Sequence, residues 1–77
     1  MMISEHHQIV LTADVPEDGL VRGDVGTVVS VLKGGRAYTV EFMTMNGRTI
    51  AVTTLLESQL RPLSPDEMQQ ARPLLAA

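Results

Sequence analysis

Between Ala37 and Met43 the chain alternates. Tyr38, Val40 and Phe42 fall on one side of an extended strand, and Ala37, Thr39, Glu41 and Met43 fall on the other. This period of two predicts a half-buried strand with Tyr38, Val40 and Phe42 in the core. Thr44-Met45-Asn46-Gly47 follows, and Asn-Gly is a strong hairpin signal because both residues tolerate positive φ. Arg48–Thr54 then returns as a strand, with Ile50 and Val52 expected inward and Thr49 and Thr53 outward. Upstream, Val25–Leu32 is β-branched and apolar on both faces: Val25, Val29 and Val31 on one, Val28 and Leu32 on the other. A strand buried on both sides, or sharply curved, fits that pattern. Gly26, without a side chain, suits a bend or a close backbone approach.

The other segments are shorter. Gln8–Ala13 predicts a first strand. Asp14–Gly19 reads as a long acidic loop, since Pro16 fixes its own φ and Asp18-Gly19 supplies turn chemistry. Gly23-Asp24 makes a second tight turn, and Lys33-Gly34-Gly35-Arg36 a third. Leu55–Ser58 breaks the period of two and predicts a single helical turn. Gln59–Leu63 is a last short strand, confined by Pro62 to an edge or a strand end. Ser64-Pro65-Asp66-Glu67 has the signature of a helix start, with a capping serine, proline at the first position and a glutamate three residues after the cap. Met68 and Ala71 share a face of that helix, and Pro73 ends it. The expected fold is all-β: a small barrel of about five antiparallel strands at residues 8–63, preceded by a flexible lead-in at 1–7 and followed by a short C-terminal helix and tail at 64–77.

Composition narrows the classes. A chain of 77 residues allows one domain. It has no cysteine, so no disulfide framework holds it together. With only Tyr38 and Phe42 as aromatics, the core must be built from Val, Leu, Ile and Met. The net charge of -3 argues against nucleic acid, whose binders carry a basic stripe. No apolar run reaches the length of a membrane span, and no signal-peptide pattern opens the chain. A cytoplasmic protein is expected.

At Gly23-Asp24-Val25-Gly26-Thr27-Val28-Val29 the chain resembles an SH3-like barrel. The wider pattern is similar to a bacterial family of stand-alone SH3-like domains of unknown function. It comprises the loop residues Asp14, Pro16, Glu17, Gly19 and Leu20, then Arg22 to Val29. It continues with Tyr38, Val40, Glu41 and Phe42, with Gly47-Arg48-Thr49, and with Gln59 to Pro62. Over the glycine-valine core alone the chain is also similar to KOW-type domains and to the SH3-like part of the nitrile hydratase small subunit. These resemblances imply a fold and leave the chemistry open, because such barrels host many functions.

No cluster of catalytic type stands out. The serines have no histidine at a recognisable spacing, and no cofactor is implied. Arg22-Gly23-Asp24 spells an integrin-type tripeptide but sits where a turn leads into a strand. His6-His7 point to opposite faces of an extended chain and lack a third ligand, so no metal site is expected. The acidic loop lacks the spacing of a calcium loop. Asp14, Glu17, Asp18, Arg22 and Asp24 are candidates for a recognition patch, joined by Met68 and Leu74 in the apolar tail. Met43, Met45 and Leu75 extend that apolar group. Arg22, Lys33, Arg36 and Arg48 are the candidates for touching phosphate.

The function expected from these residues is a non-enzymatic protein-binding module, an accessory, inhibitory or neutralising partner of another protein, monomeric or homodimeric. The alternatives are a KOW-like domain contacting RNA or the ribosome through those four cations, and an SH3-like subunit of a multi-chain enzyme.

Overall fold

The computed structural model describes residues 3–74. Five antiparallel strands form one sheet: β1 (Gln8–Leu11), β2 (Val25–Leu32), β3 (Ala37–Met43), β4 (Thr49–Leu56) and β5 (Leu60–Pro62). Their order is β4-β3-β2-β1-β5. The all-β expectation of five antiparallel strands holds. The sheet is open, with β4 and β5 as its two edges.

One core serves the whole sheet. Tyr38, Val40 and Phe42 of β3 project into it as the alternation predicts, and they meet Ile9 and Leu11 of β1, Val28 of β2, Leu55 of β4 and Leu60 of β5. Strands from opposite ends of the sheet reach the same cluster only if the sheet curls round it. Gly26 makes the tightest curl possible. A Cβ built there would lie 2.6 Å from Val40 Cγ1 and 2.8 Å from Phe42 Cε2, so β2 crosses the core where a side chain would not fit. Val15 and Leu20, joined by an isolated bridge, close one end of the core.

Four features differ from the pattern-based expectations. First, β4 presents Ala51 and Leu55 to the core, not Ile50 and Val52; Phe42 pairs with Ala51 but Met43 pairs with Thr49, so Ile50 is an extra residue in a bulge. That one residue shifts the phase, and Val52 is 56% exposed. Second, a bulge at Val29 divides β2: Val28 opposes Val40, Ser30 opposes Thr39, and Val31 lies on the side of Tyr38. Third, the lead-in is docked where it is described. Ile3 is buried, the His6 amide donates to Val28 O at 2.7 Å, and the Val28 amide donates to His7 O at 2.9 Å. Met1 and Met2 lie outside the described residues.

Fourth, no helix follows β5 among the described residues. Half of the capping box forms, since the Ser64 amide donates to Glu67 Oε1 at 2.8 Å, yet only a turn at Pro65 and Asp66 results. Pro73 limits any helix from Pro65 to about two turns, too short to stand without a packed face, and Met68 is 93% exposed. Arg61 holds the Glu67 carboxylate from the other side at 2.7 and 2.8 Å. The expected helical turn before β5 does form, as a 3-10 turn at Glu57–Gln59.

Candidate functional site

The segment after β5 has no regular secondary structure beyond its turn at Pro65 and Asp66, and it leads back to the start of β2. There Arg72 meets Asp24: Nε donates to Oδ1 at 2.7 Å and Nη2 to Oδ2 at 2.6 Å. The same guanidinium reaches Gly19 O at 3.4 Å. Asp24 is positioned by its own turn. The Asp24 amide donates to Val21 O at 3.0 Å, Gly23 takes φ 95° at the third turn position, and Asp24 Oδ2 accepts from the Val21 amide at 2.9 Å. Burial alone would raise the Asp24 pKa. The hydrogen bonds from Arg72 and Val21, with the guanidinium charge, outweigh it and leave the carboxyl below its ordinary value.

Between this strap and the sheet lies a cleft of about 560 Å³. Leu20 and Val25 line it from the β1–β2 side, Phe42, Met43, Met45 and Ile50 from the β3–β4 hairpin, and Gln69–Leu74 from the strap. The bulge that misaligns Ile50 with β3 is what delivers it to the cleft. Met45 stands at the hairpin tip, 95% exposed. The tip is held by the Thr44 amide donating to Arg48 O at 2.8 Å, the Arg48 amide donating to Thr44 Oγ1 at 3.0 Å, and Gly47 at φ 87°. The cleft is an adaptable apolar surface with one fixed ion pair at its rim.

The candidate residues are distributed as follows. Asp24 and Leu74 come together at the cleft, and Met43 and Met45 join them. Asp14 and Asp24 are occupied internally: Asp14 Oδ1 accepts from the Arg22 amide at 2.8 Å. Of the acidic loop, Glu17 stays exposed and Asp18 half-buried in a 3-10 turn at Pro16–Asp18. Met68 is not part of the cleft lining. Leu75 lies outside the described residues. The four cations separate: Arg22 and Arg48 sit in loops at the end of the sheet where β2 begins, and Lys33 and Arg36 flank the turn at its other end. Among the described residues no group of three or more His, Cys, Asp or Glu side chains gathers as a metal site would. Nothing local in the sequence marks Arg72, whose partner is 48 residues away.

A single small antiparallel sheet curled on one core, with an irregular strap tied by Arg72 to the start of β2, defines a compact β-domain. The chain belongs to the family described as Domain of unknown function (DUF4926), which matches residues 5–62. The sheet, from β1 to β5, falls within that match, and the strap falls beyond it. No curated protein and no solved structure matches the chain.

Proposed function

We propose that the protein is a non-enzymatic protein-binding module, an accessory, inhibitory or neutralising partner of another protein, and that the cleft between the strap and the β3–β4 hairpin is its docking face. The observation that carries this is the construction of the cleft. Its apolar walls include Met43 and Met45, whose unbranched side chains repack round different shapes. Its far wall, Gln69–Leu74, is irregular chain, so its width can change without breaking a strand. Exposed apolar surface of this kind marks interaction sites. The strand order β4-β3-β2-β1-β5, with a 3-10 turn before the last strand, supports an SH3-like reading of the fold.

Capture from the native host with the parent protein and with Met45→Glu and Ile50→Lys tests the proposal. The parent should retain one protein at about equal stoichiometry, and both variants should lose it while keeping the parent's circular dichroism. Retention by the variants would remove the cleft as the docking face. Recovery of no partner under gentle salt would remove the protein-binding role.

A further inference from the structure

Edge strand β4 is built unlike a protected edge. Natural sheets guard their edges with lysine, proline, bulges or very short strands. β4 runs for eight residues, Thr-Ile-Ala-Val-Thr-Thr-Leu-Leu, with no charge and no proline. Its bulge lies near one end, at Ile50, and leaves Ala51–Leu56 regular.

The hydrogen-bond phase of that regular run can be read from its end. Ala37 pairs with Leu56, and the Glu57 amide donates to Arg36 O at 3.0 Å. Ala37 and Leu56 are therefore a pair that exchanges no bonds with each other, and the alternation of antiparallel ladders extends this to Thr54 and Val52. Val52 and Thr54 each turn an N–H and a C=O away from β3, toward the open edge. The Leu56 amide is already taken by Gln59 Oε1 at 2.8 Å, which marks where the open stretch stops. Val52 and Leu56 are 56% and 58% exposed beside it.

The charges at the two ends of the strand have opposite signs. Arg48 precedes β4 and Glu57 follows it, both exposed. Neither side chain has an ion-pair partner among the described residues. An antiparallel copy of the same strand would set Arg48 of each copy beside Glu57 of the other, twice over. A parallel copy would set like charges together. We propose that β4 is a self-pairing edge, along which a second copy of this chain adds antiparallel about a two-fold axis. Val52 then exchanges backbone hydrogen bonds with Thr54 of the second copy, and the two sheets become one. Val52 and Thr54 are not among the residues that line the cleft.

Sedimentation velocity and light scattering of the full chain test it, with three charge variants. The parent should be a dimer. Arg48→Glu and Glu57→Arg should each weaken it roughly tenfold, by replacing two attractive contacts with two repulsive ones. The double variant should restore it. Rescue within one copy does not arise, because the strand separates the two residues by about 30 Å, beyond the screening length of physiological salt. Hydrogen exchange supplies a second readout that does not rely on any substitution: Val52 and Thr54 amides should gain protection as concentration rises, and Thr54→Pro, which removes only an edge-facing N–H, should abolish the dimer while the sheet persists by circular dichroism. A parent that stays monomeric to millimolar concentration overturns the proposal. So does a dimer indifferent to both single charge changes, or one that leaves the Val52 and Thr54 amides unprotected.

Discussion

Arg72 grips both carboxylate oxygens of Asp24, at 2.7 and 2.6 Å, and so fastens the strap to the turn that starts β2. The two residues are not equivalent. Asp24 also accepts the Val21 amide, whereas Arg72 serves the strap alone. Arg72→Ala should therefore cost little global stability, about 1 kcal/mol or less, as expected of a partly exposed pair. Asp24→Ala should cost roughly 1–3 kcal/mol, because it leaves a turn amide without its acceptor. Urea titration separates the two, and hydrogen exchange over Gln69–Leu74 should rise in both.

Acid should loosen the strap before it melts the sheet. Asp24 has a lowered pKa, and Glu67 is held down to about 2 chiefly by its hydrogen bonds from Arg61 and then by the Ser64 amide. Depressed carboxyl pKa values contribute stability that is full above the unfolded-chain value and lost as pH falls through the folded one. The window thus runs from about pH 4 downward to about 2. Both groups tie down the segment after β5, so amide signals of residues 64–74 should change over this range while those of β3 stay fixed. Simultaneous loss of both sets would mean that the strap and sheet are one cooperative unit.

Gly26→Ala tests the curl of the sheet. The φ of Gly26 is ordinary, so any penalty is steric. The new methyl would overlap Val40 and Phe42, and overpacking of a tight core costs about 1–3 kcal/mol. In a domain of this size that should lower the melting temperature by about 4–8 °C per kcal/mol. Phe42→Ala makes the opposite error in the same place and should cost roughly 3–5 kcal/mol. A double variant should be less destabilised than the two singles summed, since the smaller residue at 42 gives the methyl room.

Tyr38 is fully buried, and its hydroxyl has no hydrogen-bond partner among the described residues. A buried polar group in that state costs about 1–3 kcal/mol. Tyr38→Phe should keep the packing and remove that cost, so the variant should melt at or above the parent temperature. A clear fall in calorimetry would show that the hydroxyl is bonded in solution.

What was legible in the sequence was local. The alternation through Tyr38, Val40 and Phe42 and the Asn46-Gly47 hairpin depend on near neighbours, and both are found; the close approach at Gly26 is also found, although the atoms it meets belong to β3. The inward face of β4 is not legible, because a single bulged residue, Ile50, inverts the phase and no residue type announces it. The helix signature after Ser64 misleads because capping chemistry starts a helix but does not sustain one, and Glu67 is also bound by Arg61. A turn-amide bond is in character for a short carboxylate such as Asp24, and it forms with Val21, whereas the Arg22 amide that occupies Asp14 lies eight residues on. The cleft itself was only partly visible, since its wall depends on Arg72 finding a residue far back along the chain.

The pairing of β1 with β5 has a kinetic consequence. Thr12 Oγ1 reaches Ser58 O across 46 residues, whereas β2, β3 and β4 follow one another through short turns. Closing a long loop costs entropy before any contact rewards it. The three-stranded meander should therefore assemble first on the refolding pathway, with the first strand gaining its second neighbour only when the last strand arrives.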